Sequence, residues 1–279
     1  MSLTSFNQPP EQFLYIVSRM GIHDGRVAVV TGAASGIGRA AAERIVAEGG
    51  SVVVVDRAVG PLAWAAGHAH VAVLAGDVTD PEVNDAAVSM AVERFGRLDA
   101  SVLNAGIAMS GDLLTMAMTE LERVFAVNVK AVVLGMRSAI PAMRVAGGGS
   151  IVVTASTSGL AGDPGMWPYN MSKGAVVNLV RAAALDLGAD AIRVNAVCPG
   201  PTRTAMTARI QSVPEVDEGL RRRIPLQRWG LATEIAAVIN FLASSDASFV
   251  TGAIVPVDGG ITASTGQFLP REIATDTGG

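Results

Sequence analysis

Seven short apolar runs recur along the chain, and stretches of helix-forming sequence separate most of them. The runs are "RVAVVTG" (26–32), "SVVVVDR" (51–57), "HVAVLAGDV" (70–78), "LDASVLNAG" (98–106), "GSIVVTAS" (149–156), "IRVNAVCPG" (192–200) and "AIVPVDGG" (253–260). Several lack polar alternation, the pattern of strands buried on both faces. Ala-rich helical sequence follows the first run at 36–48 and stops at Gly49-Gly50. Pro81 opens another helix that runs to Phe95-Gly96. Further helices are expected at about 119–144, 167–187 and 232–243. Strands alternating with helices imply right-handed crossovers and a mainly parallel sheet with helices on both faces. No linker, short repeat or low-complexity tract interrupts this pattern. The expected organisation is one doubly wound α/β domain at 24–260, an arm at 1–23, and a polar Gly/Thr-rich tail at 261–279.

Composition narrows the functional classes. Half of the 279 residues are hydrophobic and only 16% are charged, against about a quarter in an average globular chain. Such a chain can bury a large core and part of its outer surface in an oligomer. A net charge of −4 gives no electrostatic recruitment of nucleic acid. The basic run Arg221-Arg222-Arg223 follows Glu215, Asp217 and Glu218 and reads as a solvated helix face. Cys198 is the only cysteine, which excludes an intrachain disulfide and fits a reducing cytosol. His23, His68 and His70 show no zinc spacing, so no metal is expected, and all three read as loop residues. No apolar run approaches about 18 residues, and the N-terminus lacks the basic start of a signal peptide. A cytoplasmic protein without a membrane partner is the expectation.

The first chemical signal is "TGAASGIG" at 31–38, between the first strand and the first helix. Gly32 permits the tight turn, Gly36 lets a phosphate approach the backbone, and Gly38 lets helix and strand pack closely. Ser35 and Ile37 complete the turn, and the free N–H groups of the helix start attract an anion. Asp56 ends the second strand, where a carboxylate can accept from both ribose hydroxyls of an adenosine and repel a 2′-phosphate. Arg57 beside it compensates only in part. NAD is therefore expected over NADP.

The second signal is "YNMSK" at 169–173. Tyr169 and Lys173 stand four residues apart, on the same face of the expected helix. A phenol ionises near pH 10, too high for a general base at neutral pH, and a nearby ammonium favours the phenolate. A lowering of about three units corresponds to roughly 4 kcal/mol.

Taken in order, these features resemble the short-chain dehydrogenase/reductase family. The resemblance runs from about 24 to 260. It includes "GDVTD" (76–80), "NAG" (104–106), Asn128 in "VNV", Ser156, "PGPTRT" (199–204) and "FLASSDASFVTGAIVPVDGG" (241–260). It implies a single-domain Rossmann-type sheet of about seven strands, a nicotinamide cofactor, and hydride transfer to or from a carbon bearing oxygen. By the same resemblance Asp77 bonds the adenine amino group and Val78 the ring beside it. Asn104, Ala105 and Gly106 line the adenosine side of the cleft. Pro199, Gly200, Thr202 and Thr204 hold the carboxamide. Asn128, Ser156, Tyr169 and Lys173 form the catalytic set, with Tyr169 and Lys173 also touching cofactor. Tyr169 acts as acid–base, Lys173 tunes it and bonds the ribose, Ser156 steadies the substrate oxygen, and Asn128 holds a water behind Lys173. Two departures stand out: Leu103 replaces the first of two asparagines, and Ala155-Ser156 replaces a pair of serines. Neither removes a reacting group.

The stretch 203–229 is expected to form a lid over the substrate, offering Met206, Ile210, Val213 and Trp229. Ala108, Met166 and Trp167 are expected at the pocket wall, beside Ser156. A small apolar secondary alcohol or ketone, open-chain or cyclic, is the expected substrate. A homotetramer is the expected assembly. Two other readings stand: a non-catalytic dinucleotide sensor or scaffold, and a sugar-nucleotide epimerase or dehydratase-like enzyme. The first is expected to lose one of the four catalytic residues. The second usually carries a larger C-terminal domain than the roughly 80 residues after Gly200.

Overall fold

Alternate residues of the buried strands feed two separate cores, and the sheet is built around that division. The computed structural model describes residues 21–57, 60–65 and 67–270. In β1 (Val27–Thr31), Val27 and Val29 face one core, and Ala28 and Val30 the other. In β2 (Ser51–Asp56), Val53 and Val55 face the first, and Val52 and Val54 the second. Side chains of a strand alternate between faces, so an unbroken run of valines requires cover on both sides. Full burial of each is worth about 1.5–3 kcal/mol.

Helices on the two faces supply that cover. After β2 come β3 (Val71–Ala75), α2 (Pro81–Phe95) and β4 (Ala100–Leu103), with α1 (Gly36–Ala47) preceding them. Next are α3 (Met118–Phe125), a π turn (Ala126–Lys130) and α4 (Ala131–Val145), which form one continuous rod. β5 (Gly149–Thr154), α5 (Trp167–Leu187), β6 (Ile192–Pro199) and β7 (Thr202–Arg203) follow. Two short helices, α6 (Ala208–Gln211) and α7 (Pro214–Arg221), precede β8 (Gly230–Leu231), α8 (Ala232–Ala243) and β9 (Ile254–Val257). The main sheet has seven parallel strands in the order β3-β2-β1-β4-β5-β6-β9. α2, α4 and α5 cover one face, through residues such as Ala87, Met136 and Val176. α1 and α8 cover the other, through Ala41, Ile45, Ile235 and Ile239. Asn240 ties the second pair together by donating to Ala41 O at 3.3 Å.

The element boundaries follow local chemistry. Asp80 caps α2 by accepting from Glu82 N at 3.2 Å, with Pro81 in the first turn. Gly96 ends it at φ 87°, where glycine carries no steric penalty. The expected seven strands and five long helices are all present.

Three features lie outside the sequence expectations. β7 and β8 form a separate two-stranded sheet that no apolar run announced. His23 lies in a turn, as expected of a loop residue, but its ring is buried, and burial lowers its pKa to about 4. No unbroken apolar run reaches span length, yet the rod Met118–Val145 is long and apolar enough on average to cross a membrane. It is nevertheless amphipathic: Val124, Asn128, Val132, Met136, Ala139 and Met143 are buried in the fold. Most of the expected arm (1–20) and the last residues of the expected tail (271–279) lie outside the described residues. The described part of the tail is held at its start by Asp258, which accepts from Gly260 N and Thr262 N.

Candidate active site

The C-terminal ends of β1, β4, β5 and β6 meet at one edge of the sheet, and nearly every sequence-selected residue gathers there. The glycine turn leaves β1 with Gly32 at φ 67° and Gly36 at φ 55°, conformations that L side chains rarely adopt. A Cβ on Gly32 would lie 2.9 Å from the Ala105 Cα, and one on Gly38 would collide with the Gly32 carbonyl. At Gly36 the nearest neighbour of such a Cβ would be the Thr204 methyl at 3.3 Å. Thr204 therefore stands over the glycine turn. Ser35 enters α1 in extended conformation, without a side-chain cap. The leading N–H groups around Gly36, Ile37 and Gly38 start the helix dipole, and the two glycines put no side chain of their own in front of them. These features fit the pyrophosphate of a dinucleotide.

A hydrogen-bond clamp holds this turn. Thr31 Oγ1 accepts from Asn104 N at 3.0 Å and from Ala105 N at 3.1 Å. Asn104 Nδ2 donates to Thr31 O at 3.1 Å, and its Oδ1 accepts from Thr154 Oγ1 at 3.1 Å. The amide of Asn104 is thus committed to the fold, and its service to the cleft is to fix the turn. Thr31 and Thr154 escaped the sequence reading because a threonine at a strand end carries no signal of its own.

Asp56 lies at the end of β2. One carboxylate oxygen accepts from Ala34 N at 3.0 Å and the other from Arg57 N at 2.8 Å. The remaining lone pairs can accept ribose hydroxyls. Asp77 accepts from the backbone N–H and hydroxyl of Thr79, which hold its carboxyl below the usual value. Val78 is buried beside it.

The four residues of the expected catalytic set come from three places: the π turn (Asn128), the segment just after β5 (Ser156), and α5, which carries both Tyr169 and Lys173. Asn128 sits in the π turn between α3 and α4, fully buried. Such turns are frequent at functional sites. Its Oδ1 accepts from Ile107 N at 2.9 Å, and its Nδ2 donates to Ile107 O at 3.0 Å and Ser172 Oγ at 3.0 Å. Ser172 in turn donates to Tyr169 O at 2.7 Å. Asn128 thus ties the 104–107 loop to the helix carrying Tyr169 and Lys173. Ser172, inside "YNMSK", is a link that sequence reasoning passed over. A Cβ on Gly106 would stand 3.3 Å from Asn128 Oδ1 and 3.4 Å from Lys173 Nζ, so these groups share one small space.

Lys173 is buried, donates to Thr154 O at 2.8 Å, and lies 5.8 Å from the centre of the Tyr169 ring. Ser156 Oγ accepts from Ser158 N at 3.1 Å, which leaves its proton to donate. The electrostatics correct one expectation. Burial of the phenol raises the Tyr169 pKa, a hydrogen bond with Ser156 opposes the rise, and the charge of Asp163 adds to it. Burial also lowers Lys173 to about 8. In the protein alone the ammonium does not bring Tyr169 to neutral pH, because desolvation acts on both groups.

The pocket wall is built from two loops bonded together. Trp167 Nε1 donates to Gly111 O at 3.1 Å, and Gly111 N donates to Gly165 O at 2.9 Å. Met166 lies on this wall half-buried, while Ala108 is exposed at its edge. Across the cleft, Gly200 packs closely on Asp258. The buried Thr202 spends its hydroxyl on Gly200 O at 2.9 Å, directly after Pro199. The 203–229 segment carries α6 and α7, and Met206, Ile210 and Val213 are exposed on it. Trp229, expected among the lid residues, is instead buried at the base of the segment, where β7 pairs with β8. It anchors the segment rather than lining a pocket.

A parallel sheet with a glycine cradle and a Ser/Tyr/Lys cluster at its carboxyl edge has the architecture of a Rossmann-type oxidoreductase. Comparison with known proteins fixes the family. The family model described as enoyl-(acyl carrier protein) reductase matches residues 32–262. Meso-2,3-butanediol dehydrogenase of Serratia marcescens is 42% identical over 247 residues, 88% of this chain and 97% of that protein. The crystal structure of levodione reductase superimposes with a TM-score of 0.81 at 36% identity, over 86% of this chain and 99% of that one. Aldohexose dehydrogenase of Thermoplasma acidophilum, in ligand-free form, gives 0.82 at 31% identity, over 90% and 100%. The chain belongs to the short-chain dehydrogenase/reductase family of oxidoreductases, whose members act on CH–OH groups with nicotinamide cofactors.

Proposed function

We propose that this chain is an NAD-preferring dehydrogenase that interconverts a small, uncharged secondary alcohol and its ketone. The observation that carries this reading is the cluster of Ser156, Tyr169 and Lys173 beside the glycine cradle. Bound NAD would supply the hydride acceptor and a positive charge. Gly32, Ser35, Gly36, Ile37 and Gly38 would cradle its pyrophosphate, with Thr204 above them. Asp56 and Arg57 would meet the adenosine ribose, and Asp77 and Val78 the adenine. Ala105 and Gly106 would line the cleft between, held by Asn104. Pro199, Gly200 and Thr202 would face the nicotinamide end.

Each protein group then has one task. Tyr169 Oη takes the hydroxyl proton during oxidation and returns it during reduction. Ser156 Oγ donates to the substrate oxygen as charge builds there. Lys173 would hold the nicotinamide ribose of a bound cofactor with the N–H groups left free by Thr154. Its charge and that of the cofactor together offset the desolvation that raises Tyr169. Because the Asn128 amide is filled by Ile107 and Ser172, the water behind Lys173 is held by the backbone of the widened turn. This relay resupplies the proton.

Several observations support the substrate class. Asp163 bonds Ser158 and places a negative charge near Tyr169, which disfavours acidic substrates. Met166, Trp167, Ala108 and Met206 offer mainly apolar contact. The butanediol relative acts, by its name, on a small diol. The test is the absorbance of reduced nicotinamide with a panel of secondary alcohols and ketones, run with NAD and with NADP. Turnover only on phosphorylated or carrier-bound compounds, or NADP binding as tight as NAD, would overturn the reading. The exposed Val133, Met171, Leu185 and Phe241 suit burial between subunits, and we infer a homotetramer. A sedimentation mass of one chain would contradict that.

A further inference from the structure

A groove of about 440 Å³ opens at the opposite end of the sheet, where strands begin rather than end. Arg26 precedes β1, Arg97 and Asp99 precede β4, Arg193 lies at the start of β6, and Thr251 precedes β9. The catalytic cluster lies at the other end of these strands, so this groove is no part of it.

Its charge is unbalanced. Asp99 is the one carboxylate among the lining residues. It is already occupied: Arg97 holds both of its oxygens, at 2.7 Å and 2.9 Å, and Val27 N donates to it at 2.9 Å. Among the described residues, Arg26 and Arg193 donate only to neutral carbonyls. Arg26 Nη2 donates to Ala243 O at 3.2 Å, and Arg193 donates to Ser244 O at 2.8 Å and Val250 O at 3.2 Å. Capping the last carbonyls of α8 accounts for where these two guanidiniums sit. It does not account for Arg26 Nε, which is buried with no partner among the described residues. Nor does it balance two like charges packed close together. Burial and the charge of Arg26 both depress the Arg193 pKa, the mark of cations without a counter-charge. Two neighbouring guanidiniums facing carbonyls rather than carboxylates leave positive charge that an anion in the groove would offset.

We propose that this groove binds a phosphate oxyanion, free or as a small phosphate ester, between Arg26, Arg193 and Arg97, with the Ser248 and Thr251 side chains at its rim. Guanidinium forks match the oxygens of phosphate, and the groove is large enough to admit an organic group behind it. Binding there stabilises the fold from the end opposite the active site.

Thermal unfolding of the full chain at constant ionic strength tests this. Inorganic phosphate should raise the midpoint saturably, by about 2 °C at several times its dissociation constant. Glycerol 3-phosphate is compared in parallel. A tighter response to it makes an ester the preferred ligand, and an equal response makes it free phosphate. Arg97→Gln should abolish the response. Ser248→Glu is the second variant, because Ser248 is exposed and the change places a carboxylate at the rim without removing a guanidinium. It should also abolish the response while folding normally. A phosphate response unchanged in Ser248→Glu would place the anion elsewhere, for instance at the glycine turn, and overturn the proposal. So would a wild-type response no larger than that to sodium chloride.

Discussion

Lys173 Nζ donates to the carbonyl oxygen of Thr154 at 2.8 Å, joining the helix of the Tyr/Lys pair to the end of β5, two residues before Ser156. This bond fixes the ammonium while the fold buries it completely. The cost of that burial is legible in its pKa, lowered to about 8. Below that value Lys173 is charged in both the folded and unfolded states, and the penalty is fully present. As pH rises from about 8 to 10.5 the folded protein sheds the proton first, and the penalty fades.

Lys173→Met should therefore separate function from stability. It keeps most of the length of the side chain and removes the buried charge. Turnover and NADH affinity should both fall. Stability at pH 7 should rise by on the order of 2 kcal/mol. Denaturant titration checks this, and the gain over wild type should shrink above pH 8. A variant less stable than wild type would show that the bond to Thr154 outweighs desolvation.

Asp163 raises the Tyr169 pKa and also accepts from Ser158. Oxidation of the alcohol needs the ionised phenol, so kcat/KM should rise with pH through an alkaline limb. Burial is the larger cause of the raised pKa, and Asp163→Asn should still move that limb to lower pH. The pH profile of kcat/KM reads it directly. A limb that does not move would remove Asp163 from the tuning of Tyr169.

Much of this site was legible because its chemistry needs fixed spacing. Tyr169 and Lys173 had to share a helix face, and Gly32, Gly36 and Gly38 had to follow a strand. What the sequence hid falls into two kinds. Thr31, Thr154 and Ser172 act through hydrogen bonds between segments far apart in sequence, and no local pattern marks them. The pKa of Tyr169 and the burial of Trp229 depend on how closely the surrounding elements pack. Charge spacing predicted the direction of one influence on the phenol but not the larger desolvation that opposes it. The β7–β8 pair was too short for any periodicity to reveal.

Asp56→Ala should narrow the preference for NAD over NADP by about tenfold, chiefly by weakening NAD. The carboxylate accepts from Ala34 N, so some loss of turn geometry accompanies the change. Asp56→Asn keeps an acceptor there and should show a smaller loss of NAD affinity. Fluorescence titration with both reduced cofactors measures the ratio. An unchanged ratio in both variants would take Asp56 out of cofactor choice.

His23 is buried, and burial lowers its pKa to about 4. Its folded pKa lies below the unfolded value near 6.5. The unfolded chain therefore binds the proton first as pH falls, and stability is lost between about 6.5 and 4. The loss at pH 4 should be on the order of 2 kcal/mol. Urea titrations of wild type and His23→Gln across that window test it: the variant should lose less on acidification. Equal slopes would place the acid sensitivity in other groups.

The central claim is that Tyr169 moves the proton while the glycine turn holds the cofactor independently of it. Tyr169→Phe tests both halves in one protein, through turnover on the best alcohol substrate and NADH binding measured by fluorescence. In this variant kcat should fall at least about 10³-fold, with NADH affinity within about twofold of wild type. Turnover retained in Tyr169→Phe, or NADH affinity lost together with turnover, would contradict it.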